Sequence, residues 1–152
     1  MKTVTDINLL SDIANGLKRS AAIYNKAAQS VNEGVVTAEL EQISARREKF
    51  ADQVIDEINK HMKGEFQSEG TIDLQRNVEL VLGDLLVRQN VPPILKACAD
   101  SDSKLIELYS DHLEHNEMRD EIRILLNKQY NSILELHKSL EERINKYPWF
   151  TG

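Results

Sequence analysis

Residues 7–31 read INLLSDIANGLKRSAAIYNKAAQSV, and their apolar side chains recur at alternating spacings of three and four. A helix brings such positions onto one face, so this segment is predicted to be an amphipathic helix with one buried stripe. The stripe consists of Ile7, Leu10, Ala14, Leu17, Ala21, Tyr24, Ala28 and Val31. A stripe of this length is typical of a helix in a bundle.

Three later segments repeat the pattern. The stripe of the second segment is Val36, Leu40, Ile43, Arg47, Phe50, Val54 and Ile58. The stripe of the third is Leu95, Cys98, Asp102, Leu105 and Tyr109. The stripe of the last is Met118, Ile122, Leu125, Gln129, Ile133, Leu136, Leu140 and Ile144. The four predicted helices cover residues 6–31, 35–63, 91–115 and 117–147. No segment alternates with a period of two, so no β-strand is predicted.

The connections between these helices predict the topology. Residues 32–34 form a link short enough to force an antiparallel hairpin, and a short link also joins the last two helices. Residues 64–90 form a long crossover that contains a short helix near 72–88. We therefore predict one all-α domain over residues 1–152, made of two hairpins joined by the crossover and followed by a tail at 147–152.

Five segments resemble known proteins. They are LKRSAAIYNKAA at 17–28, RREKFADQV at 46–54, GTIDLQRNVELVLGDLL at 70–86, ILKACADSD at 94–102 and QYNSILELHKSL at 129–140. With the layout of two hairpins and a crossover, they resemble a bacterial ferritin-like family of unknown function whose members are often associated with stress responses. The resemblance spans residues 7–146 and implies a ferritin-like four-helix bundle.

Two short motifs fit that family residue by residue. Arg47 and Phe50 match its R-x-x-F pattern, and Gln129 and His137 match its Q-x7-H pattern. His137 lies two turns beyond Gln129, at the edge of the apolar stripe. A lone histidine at such a position is expected to be a packed or hydrogen-bonded side chain.

The midpoints of the four stripes suggest a polar layer in the core. When the four stripes are aligned at their midpoints, four residues lie at one level along the bundle, namely Ala21, Arg47, Asp102 and Gln129. We expect Arg47 and Asp102 to pair across the core, with Gln129 taking up remaining donors or acceptors. Such a layer contributes little stability, but it fixes helix register and the choice of partner.

The same layer has an alternative interpretation as a ligand pocket. Ala21 leaves space beside Arg47, and Tyr24 and Tyr109 lie one turn away and offer hydroxyl groups. An arginine fork in such a space suits a small carboxylate or phosphate. A small-anion-binding module is therefore kept as an alternative function.

A di-iron centre is the other alternative, and the ligand set counts against it. Such centres use a Glu from each of two helices and a Glu-x-x-His pair from each of the other two. The sequence contains no Glu-x-x-His, Arg47 is cationic, Asp102 stands where the family usually has glutamate, and Ala21 stands where many members carry an acid. We expect no cofactor. Asp111 and His115, spaced to share a helix face, form a weaker alternative metal site.

Composition narrows the remaining classes of function. The net charge of −6 and the absence of a Lys/Arg run exclude a nucleic-acid interface. No apolar run approaches the roughly 20 residues that cross a bilayer, and no targeting segment is visible, so a cytoplasmic protein is expected. Cys98 and His112 lie too far apart on one helix to act together, and no glycine-rich phosphate loop exists, so no enzymatic activity is expected.

Two features suggest partners. Trp149 and Phe150 in the tail either fold over the bundle end or anchor a protein partner. The crossover helix has more apolar residues than one contact requires, which favours a homodimer. The favoured function is a non-enzymatic bundle protein, active in interactions or in stress, with a structural polar layer.

Overall fold

A computed structural model of the chain describes residues 3–31, 33–61, 66, 68, 70–88, 90–115 and 117–146. The helices are α1 (Thr3–Ser30), α2 (Gly34–His61), α3 (Thr71–Arg88), α4 (Val91–His115) and α5 (Asp120–Ile144). In this part of the chain there is no strand, which confirms the all-α prediction. None of these helices combines the length and apolar character needed to cross a membrane.

The first two helices form an antiparallel hairpin. The Thr37 hydroxyl donates to the Val31 carbonyl at 2.9 Å, beside the turn. Further along α2, the Ser44 hydroxyl donates to the Ala21 carbonyl at 2.8 Å, more than two turns back along α1. Because the numbering falls on one helix as it rises on the other, the two helices run in opposite directions.

Helices α4 and α5 form a second antiparallel hairpin. The Arg123 guanidinium donates to the Leu113 carbonyl at 2.9 Å near the connection, and Tyr109 donates to Gln129 at 2.7 Å further away. Helix α5 begins at Asp120, three residues later than the sequence suggests. The residue before it is in the extended conformation, with φ −61° and ψ 146°.

Helix α5 also lies antiparallel to α2. Near one end, the Arg143 guanidinium bonds both carboxylate oxygens of Glu39. Near the other, the Gln129 amide donates to the Gln53 side-chain oxygen at 3.1 Å. The two hairpins are therefore joined by long side chains between α2 and α5, whereas α1 and α4 pack closely together.

The crossover helix α3 covers α1 and α4. Leu82 is its fully buried residue, and Val78, Val81 and neighbouring apolar side chains are partly buried. Ile72 and Leu80 on the same helix are 71% and 80% exposed. The apolar excess predicted for this helix, from Leu80 to Leu86, therefore includes Leu80, which no described part of the chain covers.

Two apolar clusters fill the core. The first contains Leu9, Leu10, Ile13, Ala14, Leu17, Ala51, Val54, Ile58, Leu105, Tyr109, Ile122, Leu126 and Ile133. The second contains Ile23, Tyr24, Ala27, Ala28, Val31, Val36, Leu40, Leu82, Ile94, Leu95, Cys98, Ala99, Leu140 and Ile144. On α1, α2 and α4 a buried polar residue lies between the two clusters, namely Ser20, Arg47 and Asp102.

Candidate functional site: a buried polar cluster

Arg47 and Asp102 form an ion pair in the middle of the core. Arg47 Nη1 donates to Asp102 Oδ1 at 2.7 Å, and Arg47 Nη2 donates to Asp102 Oδ2 at 3.3 Å. The side chains are 1% and 0% exposed. Both lie on the apolar stripes of their helices, so the amphipathic pattern that buries α2 and α4 also brings the two charges together. The pair joins α2 and α4, which are not consecutive in the chain.

Helix α1 supplies two further groups. Arg47 Nη1 also donates to the Ser20 hydroxyl at 2.8 Å, and the Tyr24 hydroxyl donates to Asp102 Oδ2 at 2.6 Å. The Arg47 guanidinium lies 5.3 Å from the centre of the Tyr24 ring, within the range of a cation–π contact. We call Ser20, Tyr24, Arg47 and Asp102 the polar cluster.

The surroundings of the polar cluster shift the pKa values of Arg47 and Tyr24. Burial opposes the charge on Arg47, but the charge and hydrogen bonds of Asp102 raise the pKa of Arg47 above its usual value. Burial, together with the negative charge of Asp102, raises the pKa of Tyr24 well above its usual range. Arg47 therefore stays charged and Tyr24 stays neutral near neutral pH.

Ala21 is buried where α1 packs against α2. Its side chain is 1% exposed, and its carbonyl accepts the hydrogen bond from Ser44, which ties α1 closely to α2. The residues that complete this level are Ser20 and Ser44, neither of which the stripe analysis identified. In the sequence, each of them is a small hydroxyl residue directly beside a stripe position, on one of the two helices of a hairpin. That pattern is the signal that could have identified them.

Gln129 belongs to a separate polar site, so the alignment of four residues at one level is wrong for this residue. Its Oε1 accepts from the Tyr109 hydroxyl at 2.7 Å, and its Nε2 donates to the Phe50 carbonyl and to Gln53 Oε1, both at 3.1 Å. On α2, Phe50 lies about one turn beyond Arg47 and Gln53 lies nearly two turns beyond it. Matching helix midpoints takes no account of the offset between α2 and α5, and these hydrogen bonds show that Gln129 lies further along α2 than Arg47 does.

The remaining predicted residues do not gather into one site. His137 is 15% exposed and pairs with Glu141 of its own helix. Asp111 is exposed on α4, while the side chain of His115 lies outside the described part of the chain, as do Trp149 and Phe150. Within the described ranges, no three His, Cys, Asp or Glu side chains converge as metal ligands would.

Chemical reactivity is also limited at the buried cysteine. Cys98 is fully buried in the second apolar cluster, and burial raises the pKa of its thiol well above its usual value. The thiolate is the nucleophilic form of cysteine. Cys98 therefore has the surroundings of a packed core residue and not those of a catalytic nucleophile.

Arg47 does border one recess, between α2 and α5. This recess has a volume of about 140 Å³ and is lined by Glu39, Gln42, Ile43, Arg46, Arg47, Ser132, Ile133 and Leu136. Its lining residues belong to α2 and α5, whereas Ala21 is on α1. Since Arg47 already bonds Asp102 and Ser20, a ligand in the recess would compete with an existing buried ion pair.

Comparison with known proteins adds no family assignment. We find no family model, curated protein or solved structure that matches the chain. The function must therefore be argued from the chain's own residues.

Proposed function

We propose that the chain is a ferritin-like four-helix-bundle protein in which an ion pair takes the position of a metal centre. The antiparallel contacts of α1 with α2, of α4 with α5 and of α2 with α5 support this arrangement. The segment between α2 and α4 contains α3, as expected for the long crossover of such bundles. The sequence segments that resemble the bacterial ferritin-like family point the same way.

The Arg47–Asp102 pair is the observation that carries the proposal. A di-iron site needs several carboxylates directed at one point, because hard oxygen ligands must offset the charge of two cations. Here a guanidinium lies in the core beside the available carboxylate and already uses both of its oxygens. Its positive charge would repel a metal ion at this position.

The proposed role is non-enzymatic. The pair is consistent with a structural layer that fixes how the two hairpins fit together, and function then depends on the surface of the bundle. We infer a cytoplasmic protein that acts through interactions, with the stress association implied by the resemblance, and that forms a homodimer. The exposed Ile72 and Leu80 on α3 support a further apolar contact on that side of the molecule.

The test is metal analysis of the full chain purified from iron-supplemented cells. We expect iron well below one ion per chain, and light scattering of the same preparation should give the mass of a dimer. Tightly bound iron at two ions per chain would overturn the proposal that the pair replaces a metal centre. A monomer would overturn only the dimer.

A further inference from the structure

A basic groove runs between α2 and α5 on the surface of the molecule. Next to the recess that borders Arg47 lies a second one of about 330 Å³, lined by Arg46, Lys49, Phe50, Gln53, Leu125, Lys128, Gln129 and Ser132. Arg46 and Ser132 line both recesses, so the two are neighbouring parts of one groove. The proposed function makes no use of this groove.

Three cations line the second recess, and no acid does. Arg46 and Lys49 are exposed on α2, and Lys128 is exposed on the facing helix α5. Among the described residues, none of the three forms an ion pair. The chain has 25 acidic and 19 basic residues, so acidic residues are numerous enough to pair with its cations, yet these three have no acidic partner among the described residues. Like charges gathered around one recess repel each other, and a bound anion would remove that repulsion.

The floor of the recess is suited to more than a bare ion. Phe50 and Leu125 are partly buried and offer apolar surface, while Ser132 and Gln53 offer polar groups. Gln129 is 1% exposed and is held by hydrogen bonds to Tyr109 and Phe50, which makes the floor rigid. Ligand sites typically combine such an apolar floor with a few fixed polar groups.

We propose that this groove binds a small phosphate-bearing ligand. Lysine ammonium groups bind phosphate as point charges, and an arginine adds a planar fork that matches phosphate oxygens. Three cations around a recess of this size suit a ligand with more than one negative charge, such as an organic phosphate or a diphosphate. The site uses Arg46, Lys49 and Lys128, and it leaves the Arg47–Asp102 pair intact.

The experiment is calorimetric titration of the full chain with pyrophosphate at low ionic strength. We expect saturable binding that weakens as sodium chloride is added, because salt screens exposed charges. The double variant Lys49→Gln/Lys128→Gln should bind at least about tenfold more weakly, a loss of about 1.4 kcal/mol. Arg46→Gln alone should also weaken binding, which gives a second and independent variant.

The matched control is Lys60→Gln/Lys138→Gln. It removes one exposed lysine from each of the same two helices, away from the groove, so both double variants have the same net charge. We expect the control to bind pyrophosphate as the unmodified chain does. Equal weakening in both double variants would mean attraction to overall charge and would overturn the site.

Three other outcomes decide the remaining points. Absence of saturable binding to the unmodified chain would overturn the proposal outright. Citrate carries several carboxylates, and binding as tight as that of pyrophosphate would overturn the assignment to phosphate. Without ligand, Lys49→Gln/Lys128→Gln should unfold at the same temperature as the unmodified chain or higher, because repulsion is removed. A lower unfolding temperature would show that the lysines serve the fold and would count against a ligand site.

Discussion

At the scale of single residues, the buried guanidinium of Arg47 is balanced by contacts from two other helices. Removing a charge from water costs several kcal/mol, and a well-bonded partner roughly offsets that cost. Asp102 provides the opposite charge, Ser20 accepts another hydrogen bond, and Tyr24 donates to Oδ2 of the carboxylate. The pair is therefore close to neutral for stability when complete and strongly unfavourable when half of it is removed.

This asymmetry can be measured with a double-mutant cycle. Asp102→Asn leaves an unpaired buried cation and should lower the free energy of unfolding by about 3–5 kcal/mol. Adding Arg47→Met removes that cation, and the amide oxygen introduced at position 102 would still accept from Tyr24, so the double variant should recover most of the loss. Urea denaturation of the four proteins gives the coupling energy.

The double variant also tests the proposed role in helix register. If the ion pair selects one packing of the hairpins, its neutral replacement should fold with near-normal stability but associate less specifically, as seen by light scattering and by broader amide resonances in NMR. A double variant no more stable than Asp102→Asn would contradict the energetic argument. A double variant with unchanged association and sharp resonances would contradict the register role.

Sequence reasoning at this scale identified the stripe residues but not their neighbours. The spacing of apolar residues places Arg47 and Asp102 inside because each occupies a stripe position on a long helix. It does not identify Ser20 or Ser44, because a stripe contains one position per turn, whereas a buried helix face is two residues wide. The level of Gln129 depends on the offset between α2 and α5, and a single-helix pattern carries no information about that offset.

At the scale of the helices, Gly16 of α1 lies directly against two leucine side chains of α4. A Cβ atom added to Gly16 would lie 3.1 Å from a Leu108 methyl and 3.2 Å from a Leu105 methyl. Among the described residues, a Cβ added to Gly83 in α3 would meet only the flexible Glu79 carboxylate, at 3.3 Å. The first glycine allows close packing between helices, while the second has no comparable packing role.

Alanine substitutions should separate the two glycines. Gly83→Ala should raise the free energy of unfolding by about 0.5–1 kcal/mol, because glycine is a poor residue inside a helix. Gly16→Ala gains the same stabilisation from a less flexible unfolded backbone. Overpacking against the leucine methyls typically costs about 1–3 kcal/mol, so this variant should be less stable than the unmodified chain. Thermal unfolding of the two variants side by side gives the comparison. Equal stabilisation by both would show that α1 and α4 readily move apart.

The helices themselves were largely predictable because their apolar period is long and unbroken. The predicted ranges 6–31, 35–63 and 91–115 agree with α1, α2 and α4 to within a few residues. Helix α5 starts later than predicted since residues 117–119 remain outside it, although Met118 still packs against the first apolar cluster. Apolar spacing marks the residues that are buried, but it does not show where a helix begins.

At the scale of the whole molecule, the buried polar residues also decide how stability depends on pH. Burial raises the pKa of both Tyr24 and Tyr109 above the usual value of 10.0. The folded state therefore holds these phenolic protons more tightly than the unfolded state does. Below pH 10 both states are protonated and the tyrosines contribute no pH dependence. Above it the unfolded chain releases protons that the folded chain retains, so stability falls as pH rises.

The prediction is a loss of stability above pH about 10 with a slope of about 1.4 kcal/mol per pH unit for each such tyrosine. Tyr109→Phe loses the hydrogen bond to Gln129 and should be less stable than the unmodified chain below pH about 10. Above pH about 10 its stability should fall less steeply, by about 1.4 kcal/mol per pH unit, so the two curves should converge. Urea denaturation of both proteins, from pH about 8 to about 11, separates the loss caused by the missing hydrogen bond from the change of stability with pH. The remaining tyrosine and lysine groups are common to both proteins, so they cancel in the comparison. Parallel curves would mean that Tyr109 ionises as easily in the folded protein as in the unfolded chain, and its burial in the first apolar cluster would then not control its proton.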